Sequence, residues 1–357
     1  MSKINNLFFI LLFIVFFSAC THIKNSQDEN IITIKVEIGN TQKISKFEND
    51  FQVLSLDTSK LALQGEVRSV IFSNEFIAIH TPNRLSIFDS SGSYLRDIGR
   101  FGRAHNEYLR LSSVLYENTI FKLFDSDQQK ILKFNSNGSF IDCEGLDPAN
   151  MYQIHKITSF YDDYITLMKY RGSSVETPSL GLFDKNLILQ KNAGEALLSG
   201  LTLHEVFSLF QNELLYWNIF DYNIYSIDQD FTVKSKYFID FGKYSLPKNI
   251  YNDVNPNKIM EYALKNETNL IVSIQYVIEQ ESYISFTFGL DKTCYLAIFN
   301  KRNGEIKVYE LQLTDDSFVF YPFITIFENN YVLCGYYNTY DTFDNLDIIL
   351  IKQDLLL

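Results

Sequence analysis

Residues 86–108 read SIFDSSGSYLRDIGRFGRAHNEY. The apolar run ending at Phe88 stops on Asp89, and Ser90, Ser91 and Gly92 are the small polar residues that reverse a chain tightly. Tyr94 to Ile98 resumes the extended pattern before a loop, Arg100 to Glu107, that carries glycine and two arginines. Upstream, Val70 to Ile79 is a strand pair broken at Ser73-Asn74. Thr81-Pro82-Asn83 then turns the chain into the strand from Arg84 to Asp89. Four short antiparallel strands in about 30 residues make one sheet of the size of a propeller blade.

The third strand of this unit, an apolar pair beside a polar residue before a turn, can be followed along the chain. It recurs as LSIFD, ILKFN, LGLFD, IYSID, LAIFN and IILIK, at Phe88, Phe134, Phe183, Ile227, Phe299 and Ile351. A spacing of roughly 40 to 50 residues is that of a propeller array, and only the step from Ile227 to Phe299 exceeds it clearly. Each third strand follows a strand pair: Val114 to Phe124, Ile157 to Met168, Val206 to Trp217, Ile271 to Phe288 and Phe323 to Tyr336. The long step contains Asn255, suited to cap a helix, and Pro256, suited to its first turn. A short helix over about 255–265 is therefore expected as an insertion between the fourth and fifth units.

The pattern predicts an all-β fold, a six-bladed β-propeller of four-stranded antiparallel blades. The sixth unit runs out one strand short at the C-terminus, and an open ring would leave sheet edges exposed. An N-terminal strand is expected to close the ring, Phe51 to Leu56 first and Ile31 to Ile38 as the alternative.

The first 20 residues stand apart. Lys3 precedes eleven unbroken apolar residues, Leu7 to Phe17, and Ser18-Ala19-Cys20 follows. A membrane helix needs roughly 20 apolar residues, so this run is a leader rather than a span. It resembles a bacterial lipoprotein signal whose lipobox ends at Cys20, with Phe17 where leucine is usual. An ordinary secretory signal cut near Ala19 is the other reading. Residues 21–30 form a polar, flexible tether, and 31–357 form one propeller domain. Without Cys20 three cysteines remain, Cys143, Cys294 and Cys334, with no disulfide or metal spacing among them.

Lys and Arg number 31 against 43 Asp and Glu, a formal net charge of −12. No basic cluster offsets this, which argues against nucleic acid as a partner.

The run Phe88-Asp89, Gly92, Ile98-Gly99-Arg100, Gly102 and Glu107-Tyr108 resembles the six-bladed β-propeller lipoproteins of Bacteroidetes-type bacteria, which are NHL-repeat-like. Ala104-His105-Asn106 stands where that pattern has Gly-Pro-Gly. The resemblance implies a lipid-anchored protein of the bacterial cell envelope, at the outer membrane or cell surface, and no cofactor.

Candidate chemistry concentrates in the same loop. Arg100, Arg103, His105, Asn106 and Glu107 offer charge-assisted hydrogen bonds to an anionic or sugar ligand; bracing of adjacent blades is the competing use. Asp125 and Asp127, in the turn before the second unit's third strand, are candidates for calcium or for an Asx turn. Tyr216, Trp217, Tyr222 and Tyr225 can stack on sugars or pack between sheets. No nucleophile elbow or phosphate-binding glycine loop is present. The sequence thus points to a non-catalytic binding protein whose partner is an envelope protein or glycan. The alternative is a calcium-dependent, lactonase-like hydrolase or lyase with its site at the central channel mouth.

Overall fold

The computed structural model describes residues 31–57, 59, 67–147, 152–170, 179–193, 205–251, 256–266, 269–314, 318–339 and 342–357. The leader, Cys20 and the tether lie outside the described residues.

Alternating apolar strands divided by Asp-, Asn- and Gly-bearing turns fold into six antiparallel sheets arranged as a six-bladed β-propeller. Blade 1 comprises Ser69–Phe72, Ile77–Thr81, Arg84–Phe88 and Tyr94–Asp97, from the innermost strand to the rim. Blade 2 runs from Leu111–Glu117 to Phe140–Gly145, and blade 3 from Tyr152–Phe160 to Leu189–Ala193. Blade 4 runs from Phe207–Phe210 to Val233–Asp240, and blade 5 from Ile274–Glu279 to Ile306–Glu310. All six apolar-pair motifs are third strands, as their spacing predicts. The turns after them place Asp89, Asn135, Asp184 and Asp228 so that each carboxylate or amide oxygen accepts backbone N–H groups two and four residues on, or four on. These are the Asx turns that the residue types favour.

Blade 6 has three C-terminal strands, Phe318–Phe327, Asn330–Thr339 and Thr342–Lys352, and takes its rim strand, Gln52–Ser55, from the N-terminus. Asp347 to Leu350 pair antiparallel with Ser55 to Gln52. The first-ranked closing strand is therefore the one used. Ile32–Lys35 does not close the ring: it lies parallel to Tyr237 to Asp240 as a fifth strand on the rim of blade 4. Gln42–Lys43 adds likewise to Tyr309 and Glu310 of blade 5. Ile34, at 0 % exposure, explains the choice, because its side chain joins the core of blade 4 while its neighbours face outward.

The insertion between blades 4 and 5 holds the helix Pro256–Lys265, a further helical turn at Lys248–Tyr251 and a 3-10 turn at Gly242–Tyr244; Asn255 lies outside the described residues. A last helical turn, Gln353–Leu356, ends the chain. Among the described residues no helix is long and apolar enough to cross a membrane. Large apolar side chains fill the spaces between blades, Trp217, Phe286 and Phe288 among them. Cys334 is buried, whereas Cys143 and Cys294 are half-buried.

Candidate functional site

Strand alternation puts the connections between blades at one end of the ring, together with the turns that link second to third strands. The Arg100–Glu107 loop joins blade 1 to blade 2 at that end. Its backbone closes on itself: Tyr108 N–H donates to the Arg100 carbonyl at 3.1 Å and Gly102 N–H to the Tyr108 carbonyl at 2.9 Å. Glu107 is the hub. One oxygen meets Arg100 Nε at 2.7 Å and the other accepts the Ala104 N–H at 2.9 Å. These donors, the amide foremost, hold the Glu107 carboxyl below the usual carboxylate range. A methyl on Gly102 would lie 2.0 Å from Glu107 Oε2, so only glycine leaves room for that carboxylate.

Lys130, reaching across from blade 2, donates to the Ala104 and His105 carbonyls, each at 3.2 Å. Side-chain donors thus fix the segment where the family pattern has glycines and proline. The His105 ring stands edge-on to Phe140 with centroids 5.5 Å apart. Arg100, Arg103, His105 and Asn106 are exposed, as is Phe101 at 62 %. The five candidate residues therefore share one braced loop, with Glu107 turned inward and the others outward.

Asp125 lies at the base of this loop and is fully buried. Its Oδ2 accepts from Leu109 N–H and Gln128 Nε2, each at 2.7 Å. Its Oδ1 accepts from the N–H groups of Asp127, Gln128 and Arg110 at 2.9, 3.1 and 3.3 Å. Amide donors thus occupy the acceptor positions a cation would need. Asp127 faces Arg110 at 3.5 Å. Among the described residues no three His, Cys, Asp or Glu side chains group closely enough to hold a metal ion.

Three of the four aromatic candidates belong to the interior, while Tyr225 is half-buried and donates its hydroxyl to Asp221 at 2.8 Å. Trp217, Tyr216 and Tyr222 are 1, 4 and 3 % exposed. Tyr222 donates its hydroxyl to the Ile271 carbonyl at 2.7 Å and accepts the Leu246 N–H at 2.7 Å, pinning both ends of the helical insertion.

Spacing along the chain gave no signal for a charged group on the innermost strands. Lys156 of blade 3 is 2 % exposed and donates to the Ser112 carbonyl of blade 2 at 2.5 Å. Its charge interacts with those of Glu205, before the first strand of blade 4, and Arg68, before that of blade 1. Burial pushes the Lys156 ammonium down and the Glu205 carboxyl up, each toward its neutral form. Lys156 lies beside His155 between Ile154 and Ile157, and nothing in that stretch marks it as buried.

A family model described as "Domain of unknown function (DUF4934)" matches residues 29–352. The fold is similar to that of a Bacteroides fragilis protein named "Putative exported protein", at 18 % identity and a TM-score of 0.68, over 90 % of this chain and 99 % of that one. A member of the DUF4221 family from Bacteroides vulgatus is similar at 11 % identity and a TM-score of 0.56, over 85 % and 96 % of the two chains. No curated protein matches the sequence. At these identities the likeness is one of fold.

Proposed function

The chain belongs to the family described as Domain of unknown function (DUF4934), and we propose that it is a lipid-anchored, NHL-like propeller of the bacterial cell envelope. It works by binding an envelope protein or glycan rather than by catalysing a reaction. One observation carries this reading: the Arg100–Glu107 loop is rigidly braced from below yet directs Arg103, His105 and Asn106 outward beside exposed Phe101. A preorganised patch of guanidinium, imidazole, amide and aromatic groups spends little ordering entropy on binding. The lipobox-like Ser18-Ala19-Cys20 supports the anchor.

The test is affinity capture from envelope membranes with the full-length protein and with an Arg103→Ala/His105→Ala/Asn106→Ala variant. The reading expects a component retained by the parent and lost by the variant. Equal retention by both, or none by either, overturns it. For the anchor, Cys20→Ala is expected to move the protein out of the membrane fraction; an unchanged fraction overturns lipidation.

A further inference from the structure

At the end of the ring opposite the Arg100–Glu107 loop, a cleft of about 410 Å³ opens between blades 2 and 3. Blade 2 supplies Lys122, Lys133 and Glu144; blade 3 supplies Tyr161, Asp162 and Lys185, among others. The volume falls within the range of small-ligand sites.

Its charges balance. Lys122, Lys133 and Lys185 face Glu144, Asp162 and Asp163, so the lining selects neither an anion nor a cation. Two of the lysines are held in place: Lys122 donates to Glu117 at 2.7 Å and sits 5.2 Å from the Tyr164 ring centroid, and Lys133 donates to Glu144 Oε1. Glu144 Oε2 and Ser159 Oγ, both on the cleft wall, are buried without a hydrogen-bond partner. Such orphaned polar atoms are uncommon and call for an explanation. At the rim, Tyr161 is 51 % exposed, but its hydroxyl donates to the Asn212 carbonyl of blade 4 at 3.1 Å and its ring abuts Phe160 at 4.7 Å. The ring is thus a fixed platform with one face of the side chain open.

Donors and acceptors interleaved at zero net charge, with Lys122 and the Lys133–Glu144 pair held in place beside an immobilised aromatic ring, suit a ligand whose groups both donate and accept and whose ring presents an apolar face. We propose that this cleft binds a neutral saccharide, with the sugar on Tyr161 and its hydroxyls on Asp162, Lys185 and the Lys133–Glu144 pair. The inference rests on the reading of the propeller as a binding protein but not on the Arg100–Glu107 loop, which lies at the other end.

The experiment is saturation-transfer NMR, followed by calorimetry, on the full chain with neutral hexasaccharides of glucose, mannose, galactose, xylose and N-acetylglucosamine. Hexagalacturonate and a chitosan hexamer serve as the charged probes. A neutral hexasaccharide is expected to bind, with affinity reduced about tenfold or more in Tyr161→Ala and in Asp162→Ala. Lys234→Ala, at an exposed position on the outer strand of blade 4 away from the cleft, is expected to bind it like the parent. Both cleft positions are exposed turn residues, and near-ultraviolet circular dichroism checks each fold. Absence of binding by every neutral probe, preference for a charged one, or equal affinity in both cleft variants overturns the inference. Those outcomes leave the capture experiment at the other end untouched, so the two readings fail separately.

Discussion

Glu279 of blade 5 accepts the Tyr237 hydroxyl of blade 4 at 2.8 Å. The same carboxylate, 2 % exposed, takes Lys301 at 3.0 Å and Lys236 at 2.9 Å, and Lys236 also reaches Glu213. Burial first, and then the bond to Glu279, raise the Tyr237 phenol far above its ordinary value. One acid thus clasps two adjacent blades. Glu279→Gln removes the charge that both lysines share, and removal of one member of a buried ionic group costs on the order of 3 kcal/mol. Urea unfolding of the variant is expected to show a lower midpoint with an unchanged slope. A midpoint equal to the parent's would show that the clasp is not part of the stability of the ring.

The closing strand carries a pH dependence. Asp347, on the strand next to Gln52–Ser55, has its carboxyl raised by burial, partly opposed by a hydrogen bond from Ser55. A carboxyl raised on folding adds stability below its unfolded value of about 3.9, and that contribution is lost as pH rises through the folded value. Asp347→Asn abolishes this loss. The stability of the variant relative to the parent is expected to increase from acid toward neutral pH, read from denaturation midpoints. A flat or falling difference would refute the assignment.

Gly102→Ala tests the brace beneath the exposed loop. The added methyl displaces the Glu107 carboxylate from the Ala104 N–H and Arg100. The variant is expected to unfold at a lower urea midpoint than the parent. Glu107→Ala alone is also destabilising, but the double variant is expected to cost less than the sum, because the methyl then has nothing to displace. Additive losses would place the effect of Gly102 elsewhere.

Two truncations separate the roles of the N-terminal strands. Removing residues 21–50 takes away both parallel rim strands with buried Ile34, Val36 and Ile44, and is expected to cost on the order of 5 kcal/mol while unfolding stays cooperative. Removing 21–57 also takes the fourth strand of blade 6, and a broad, multi-step transition is expected. Equal midpoints for the two deletions would show that Gln52–Ser55 does not hold the ring shut.

The blades were legible because each third strand carries its apolar pair and turn within ten residues, so local chemistry alone marks it. Gln52–Ser55 was legible by subtraction, since blade 6 lacked a strand. Ile32–Lys35 was visible as a strand but not as a parallel rim strand, because its partner lies about 200 residues away and nothing in IITIKVEI states a direction. Gln42–Lys43 is too short to carry any periodicity. Within the loop the sequence showed which groups meet. The Asx turn of Asp125 onto the Asp127 N–H was legible, whereas the reach of Asp125 to the Leu109 and Arg110 amides and of Glu107 to the Ala104 amide depends on a fold-back no residue pattern encodes. The Lys156, Glu205 and Arg68 group and the balanced cleft join separate blades, and the sequence holds only isolated members of each.

The route of the N-terminal segment along the rims of blades 4, 5 and 6 has a consequence for the timing of assembly. Residues 32–55 are made before the strands that receive them, which end at Asp240, Glu310 and Lys352. The earliest-made strands of the domain must wait, unpaired, for the latest. Joining ends so far apart carries the entropy of closing a very long loop and makes for slow folding. The ring can be sealed only after the third strand of blade 6 has been made.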